Sequence, residues 1–329
     1  MGALSPVRAR QAPVSGPAYL NLWQRGELAH RARRARERLA RCDLCPRACG
    51  VNRLTGEQGY CRAGEQAKVA SHNVHMWEEP PISGWGGSGT IFFSHCTARC
   101  LFCQNYPISQ LGAGNEVSAE ELAEMMLSLQ RQGCHNINLV TPTHYVAQFL
   151  QALDVAAGRG LTLPIVYNTS GYESLETLAL LDGAVDVYLP DCKYTNDAVA
   201  QELSGFRGYV SANRGALVEM ARQVGNGIQV DEDGIAWRGM ILRHLVLPQG
   251  LSQTPQVLAW VTETLGRETH VSLMSQYFPA HRATDHPALS RRVTSAEYAE
   301  ALAALERNGL ENGWTQPSPE DEASEEAEA

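Results

Sequence analysis

The sequence predicts an open α/β fold built on a parallel sheet, and two patterns carry that expectation. From about residue 90 onward, short apolar runs alternate with amphipathic stretches, which implies right-handed crossovers and helices outside a parallel sheet. Polar motifs follow the apolar runs directly, where ligands bind in parallel α/β folds. Six strand–helix units are too few for a closed eight-stranded barrel but enough for an open one. No internal repeat is visible.

The strands are expected over 90–94, 136–140, 165–167, 185–189, 240–247 and 271–274. Between the first two, Ser118 and Glu121 form a capping box, and Leu122, Met125, Met126 and Leu129 recur at helical spacing. A second helix closes over 154–158 and a third covers 174–181. A fourth spans 211–224, with a hairpin around Asp233-Gly234 before the fifth strand. A helix over 254–265 leads to the sixth strand, and one over 295–308, stopped by Gly309, ends the fold.

The chain has 329 residues, 44% hydrophobic and 19% charged, the composition of an ordinary globular protein. No apolar run approaches the roughly 18 residues of a membrane span. The first 19 residues lack the apolar core of a secretion signal, so a cytoplasmic address is expected. The net charge of −9 is uneven, because Glu320 to Ala329 alone contain six carboxylates and no base. The rest is nearly neutral, which argues against a general nucleic-acid binder. The stretch 30–41 is arginine-rich and reads first as a solvated helix face, with an acidic or RNA partner as the sharper reading. The acidic tail 317–329 has the composition of a disordered end.

Seven of the nine cysteines fall in two tight groups. An odd total without an export signal argues against a disulfide framework and for metal or redox chemistry. Cys42, Cys45, Cys49 and Cys61 are spaced C-x2-C-x3-C-x11-C with a glycine-rich return. Four thiolates can close a zinc shell or hold an iron–sulfur cluster, and spacing does not decide between them. Cys96, Cys100 and Cys103 are spaced C-x3-C-x2-C on a loop after the first strand. Three thiolates on a four-iron cubane leave one iron open to a non-protein ligand. Zinc held by the three with a histidine such as His95 is the plainer alternative. Phe102 is placed to stack on a bound purine. Cys134 and Cys192 read as buried thiols.

The C-x3-C-x-aromatic-C spacing after a strand resembles the radical S-adenosylmethionine (SAM) superfamily. Met76-Trp-Glu-Glu-Pro-Pro-Ile-Ser-Gly84, Cys103-Gln-Asn-Tyr106, Thr141-Pro-Thr-His-Tyr145, Asn168-Thr-Ser-Gly-Tyr172, Arg243-His-Leu-Val-Leu-Pro248 and Leu273-Met-Ser-Gln-Tyr277 resemble one bacterial and archaeal branch of it. That branch is described as homologous to pyruvate formate-lyase-activating enzyme, and the four-cysteine pattern belongs to it too. The resemblance implies a partial (β/α)6 barrel with an N-terminal cysteine-rich metal-binding extension. It implies a [4Fe–4S] cluster on Cys96, Cys100 and Cys103, SAM on the open iron, and reductive cleavage to a 5′-deoxyadenosyl radical. Flavodoxin or ferredoxin is the implied electron donor. Where many relatives have Gly-Gly-Glu after the second strand, this chain has Thr141-Pro142-Thr143.

Cofactor contacts are expected from Phe102, Thr141, Thr143, Asn168, Ser170, Asp191, Lys193 and Arg243, with turn-forming, packing or local ion-pair roles as the competing readings. Glu78 and Glu79 before a diproline read either as a basic-group or proton-transfer site or as a solvated linker. His144 and His244, and Gln276 and Tyr277 on the rim, are weighed in the same way. The expected organisation is an extension over 1–75, the barrel over 76–285, a packing helix over 286–316 and the tail. The substrate is expected to be a protein or peptide, as in glycyl-radical activation. A small molecule is the alternative, and a non-catalytic zinc-stabilised binding protein is the alternative of another class. Neither membrane nor nucleic acid is an expected partner.

Overall fold

The computed structural model describes residues 1–5 and 16–318. Six parallel strands form its centre: β1 (Ser88–Phe93), β2 (Ile137–Val140), β3 (Ile165–Thr169), β4 (Val187–Pro190), β5 (Ala236–Leu245) and β6 (His270–Met274). They lie in sequence order, as successive right-handed β/α units require. Beyond β1, Ala67–His75 and then Asn115–Val117 add antiparallel strands; beyond β6, Gly313–Thr315 is parallel and Gly2–Ser5 antiparallel. The two outer strands do not pair with each other, so among the described residues the sheet is an open α/β structure.

The six expected strands form, with ends shifted by up to four residues. β5 begins at Ala236 because the short strand Gln229–Val230 folds back on it across the Asp233-Gly234 turn. The capping box on Ala119–Arg131 is present in both directions, Ser118 to the Glu121 N–H and Glu121 to the Ser118 N–H. A second box, Thr294 with Glu297, starts Ser295–Arg307. Ala67–His75 escapes the sequence reading because only its first half is buried and its Ser-His-Asn segment is exposed. The arginine-rich stretch is largely the helix Glu27–Glu37, which buries Leu28, Ala32 and Ala35 and packs against Val146–Gly158. Several of its arginines face solvent or pair with acids, Arg31 with Glu27 one turn away and Arg36 with the distant Glu65. The tail from residue 319 lies outside the described residues.

Strand periodicity divides the sheet into two faces. Tyr167, Tyr188, Met240 and Leu242 face the outer helices within the main core. Val166, Val187, Leu189 and Ile241 face the other way and form a separate core with Ile82, Ile228, Val230 and Trp314. Further along that inner face Asp191, Arg243 and Ser272 are in register, while Asn138 and Asn168 lie level with Val166 and Leu189. The inner face of β4 thus passes from Val187 and Leu189 to the charged Asp191 just past the strand end. Among the described residues, no helix is long and apolar enough to cross a membrane.

Candidate active site

The loop after β1 carries Cys96, Cys100 and Cys103, and the backbone holds it from several sides. Ser94 N–H donates to the Lys68 carbonyl at 2.8 Å and His95 N–H to Ile108 at 3.0 Å. Arg99 and Leu101 N–H donate to Ser204 and Leu203 at 2.8 and 2.9 Å. His95 has φ +70° and Thr141, at the end of neighbouring β2, has φ +60°. A β-branched residue in that region is strained, and such strain gathers at ligand-binding sites.

Cys103 lies near enough to Cys96 and Cys100 to disfavour their ionisation. Burial pushes Cys96 up to about 12, reinforced by Cys100. Burial likewise raises Cys100 to about 11, opposed by the Lys193 ammonium. The Ala98 N–H donates to Cys96 Sγ at 3.3 Å, and Cys103 Sγ lies 3.1 Å from Ser109 Oγ. Three thiol donors on one short loop, with a lysine beside them, fit a cubane that needs three protein thiolates. Among the described residues, no group of three or more His, Cys, Asp and Glu is arranged to hold a single metal ion.

Other loops meet at the same rim. Asp191 and Lys193 form an ion pair of 2.6 Å. Tyr209 O–H donates to the Ser170 carbonyl at 3.1 Å and accepts from the Lys193 N–H at 3.0 Å, tying the loops after β3 and β4 together. Asn213 donates to the Gly171 and Asp191 carbonyls. Gly171 has φ +70°, and a Cβ there would lie 2.2 Å from Asn213 Nδ2, so this turn requires glycine. The Thr141 N–H donates to the Asn168 carbonyl at 2.9 Å, and both residues are half-buried.

Three expected contacts are engaged with protein. Phe102 is buried edge-on to Tyr277, with ring centroids 5.8 Å apart. Thr143 O–H donates to the buried Glu173 carboxylate at 2.5 Å, and Thr169 O–H donates to the same oxygen. Arg243 lies 3.4 Å from Glu78 and 3.3 Å from Glu79. Burial works against its charge, but Glu79 and Glu78 outweigh it and hold the guanidinium ionised. Glu78 also accepts from Asn138 at 3.1 Å, and burial raises its carboxyl despite Arg243. Glu79 is 0% exposed, so these acids belong to the interior rather than to a solvated linker.

His144 and His244 are buried, and burial lowers them to about 3 and about 4 respectively. His144 Nε2 pairs with the Ser94 carbonyl at 2.9 Å, while His244 meets the Cys192 carbonyl and Thr254 Oγ1. Tyr277 is buried, whereas Gln276 is exposed. Sequence reasoning missed Glu173. Its only signal is an acid at the end of the polar run Asn168-Thr-Ser-Gly-Tyr-Glu173, where it reads as a residue preceding the Ser174 helix cap.

Cys42, Cys45, Cys49 and Cys61 share the lining of one small cavity. Burial raises the Cys45 and Cys61 thiols, and the neighbouring cysteines add to the rise. Arg53, only 1% exposed, donates to the Gly64 carbonyl and to the His144 carbonyl at 2.7 Å, with its Nη1 3.9 Å from Cys42 Sγ. Arg47 donates to the Thr97 carbonyl at 2.7 Å and to Gly205 at 2.6 Å. Tyr60 lies under the Arg47 guanidinium at 3.4 Å and under that of Arg99 at 4.8 Å. The four-cysteine group is thus sewn to the three-cysteine loop.

The three-thiol loop thus lies at the strand ends of an open parallel α/β sheet. The profile of the Radical SAM superfamily matches residues 90–230. "Uncharacterized protein MJ0674" of Methanocaldococcus jannaschii is 30% identical over 280 residues, covering 82% of this chain and 75% of that protein. MJ0808 of the same organism is 24% identical over 278 residues, covering 75% and 73%. The chain belongs to the radical SAM superfamily and is an enzyme of that class. Among solved structures, the FeFe-hydrogenase maturase HydG from Carboxydothermus hydrogenoformans has a TM-score of 0.49 at 14% identity, covering 73% of this chain and 56% of that one. A radical SAM methyltransferase from Sphaerobacter thermophilus has a TM-score of 0.47 at 14% identity, covering 69% and 66%. The superfamily implies a [4Fe–4S] cluster and SAM.

Proposed function

We propose that Cys96, Cys100 and Cys103 hold a [4Fe–4S] cluster and that the enzyme abstracts hydrogen from a protein or peptide. The carrying observation is the open count of three thiols on a backbone-pinned loop at the polar strand ends. Bound there and reduced by a flavodoxin- or ferredoxin-type donor, the cluster supplies the electron that cleaves SAM to methionine and a 5′-deoxyadenosyl radical. The chain's own residues orient and shield. Thr141, Asn168 and Ser170 offer polar groups on adjoining loops, and Asp191 with Lys193 presents a paired charge beside Cys100. The buried Glu173 fixes Thr143 and Thr169 behind them. In the interior two acids, Glu78 and Glu79, face the single base Arg243, a formal excess of acid suited to a cationic substrate group.

A polymeric substrate is favoured over a small molecule by the segment that supplies those acids. Trp77 is 84% exposed and Trp85 75% exposed. Large exposed aromatics mark surfaces that meet macromolecules. The four N-terminal cysteines form a second metal site within a cysteine-rich extension. The test is SAM cleavage under anaerobic reduction, followed by tracing deuterium from labelled candidate peptides into 5′-deoxyadenosine. Cleavage with label transferred from a peptide is the expected result. Wild-type protein loaded with iron that leaves SAM intact refutes the reading.

A further inference from the structure

The electron that cleaves SAM arrives from outside the chain, and the surface beside the three-cysteine loop is charged to receive its carrier. We infer, on the premise that this loop holds the reducible cluster, that an acidic one-electron carrier protein docks on the face formed by Arg62, Lys68, Arg99 and Leu111.

This face lies directly on the loop. The Lys68 carbonyl accepts the Ser94 N–H at 2.8 Å. Arg62 follows Cys61, is exposed and has φ +61°. Arg99 sits between Cys96 and Cys100, and its guanidinium donates to the Cys96 and Tyr60 carbonyls at 3.3 and 2.5 Å, along the seam with the four-cysteine group. The His95 ring stands among all three cations, and burial and then their charge lower its basicity. A Cβ on Gly112 would lie 2.5 Å from His95 Cε1, so the turn carrying Leu111 closes against the same ring. Leu111 is 72% exposed. An apolar residue inside a charged rim is the anatomy of a docking surface.

The charge of the face is not spent internally. Among the described residues, Arg62, Lys68 and Arg99 form no ion pair with a carboxylate. The nearby Glu65 is taken by Arg36 at 2.7 Å, and Glu116, opposite Lys68 in the strand ladder, makes no ion pair with it. The whole chain carries −9, so it repels an acidic protein in general, and a local positive field is what turns such a carrier toward the loop. Electron transfer suits small, short-lived interfaces of this kind. One electron passes to the cluster, no atom is transferred, and the carrier departs oxidised by one electron.

The test compares the full chain carrying Arg62→Glu and Lys68→Glu together with wild type, with a bacterial flavodoxin as the probe. Calorimetry measures the affinity of oxidised flavodoxin at low and high salt, and SAM cleavage is driven either by reduced flavodoxin or by dithionite. Affinity and flavodoxin-driven cleavage should each fall at least about tenfold, with most of the salt dependence of binding lost. Dithionite-driven cleavage should be unchanged. Arg62→Ala alone should show a smaller fall in the same direction, which keeps the test open if the double variant does not fold. Wild type that binds no flavodoxin, or a double variant that binds it equally well, overturns the inference. An equal fall with Arg33→Glu and Arg34→Glu, the same charge change on exposed residues of the helix Glu27–Glu37, also overturns it. So does an equal fall in dithionite-driven cleavage, which would place the damage in the site and not in docking. If wild type binds flavodoxin through this face yet leaves SAM intact with either reductant, the catalytic reading fails while this one stands.

Discussion

The three-cysteine loop and the four-cysteine group are held by different means. Around Cys96, Cys100 and Cys103 the constraints are backbone hydrogen bonds from Ser94, His95, Arg99 and Leu101 to a strand, a turn and a helix end. Around Cys42, Cys45, Cys49 and Cys61 local backbone bonds close the stretch on itself, Cys42 to Val51 and Gly50 to Cys42 among them. Long side chains tie it to the rest, with Arg53 spanning Gly64 and His144 and Arg47 reaching Thr97 and Gly205. A site fixed by the sheet backbone can leave one coordination position open without collapsing. A group tied to the rest of the fold by guanidinium side chains depends on those side chains. The largest expected effects should separate along that line, with chemistry lost at the first group and stability at the second.

Cys100→Ala gives the sharpest separation. Removing one of three thiolates should lower the rate of reductive SAM cleavage at least a thousandfold, about 4 kcal/mol at the barrier. Cys45→Ala should leave cleavage within about tenfold and lower the thermal midpoint instead. Both are read by chromatographic assay of 5′-deoxyadenosine and by calorimetry. If Cys45→Ala abolishes cleavage while the catalytic cluster still loads, the division between the groups is wrong.

Arg53→Ala tests the side-chain-built half. It strands the buried His144 carbonyl and the half-buried Gly64 carbonyl, and an unsatisfied buried acceptor costs about 1–3 kcal/mol. A loss of about 3 kcal/mol is expected in denaturant titration of the reconstituted protein. A loss below about 1 kcal/mol would show that the arginine does not support the group.

Glu173 supplies a pH test on the catalytic side. Burial raises its carboxyl from 4.5 to about 7, even though Thr143, Thr169 and Tyr167 hydrogen-bond it. Between pH 4.5 and 7 the folded chain keeps a proton that the unfolded chain has released. Stability contributed by this group therefore falls as pH rises through that window and is fully lost above it, by about 3 kcal/mol. Glu173→Gln should remove that part of the slope, read as the difference in denaturation midpoints between pH 5 and pH 8. An unchanged slope would mean that Glu173 is not held neutral there.

The sequence shows some of this more readily than the rest. Six strands and the Ser118 capping box are legible because period and cap chemistry are local properties. The two cysteine groups are legible because their spacing is a local property too. Ala67–His75 is not, since its pairing with β1 is set by a long-range partner while its own Ser-His-Asn segment stays exposed. Arg53, Arg47 and Glu173 are also invisible in advance. Their partners lie 91, 158 and 30 residues away at His144, Gly205 and Thr143, and nothing in neighbouring residues marks an arginine or glutamate for burial. Arg243 is visible as a strand-end cation, but only the fold shows that Glu78 and Glu79 already face it.

The smallest expected effect lies on the seam itself. Arg47 belongs to the four-cysteine stretch, yet it donates to the Thr97 carbonyl between Cys96 and Cys100 and covers Tyr60 at 3.4 Å. Arg47→Ala removes two hydrogen bonds, the cation–π contact with Tyr60 and a longer one with Tyr172 at 5.8 Å, together about 1–2 kcal/mol of stability. Because Thr97 is also held through its neighbours by backbone bonds at Ser94, His95 and Arg99, the loop should keep its shape, with SAM cleavage falling less than about tenfold. The fall should be partly restored by Arg47→Lys, which keeps the charge but not the fork that reaches Thr97 and Gly205 together. A loss in Arg47→Ala as large as that in Cys100→Ala would dissolve the contrast between the two groups. It would mean that the catalytic loop takes its geometry from the four-cysteine group and not from the sheet.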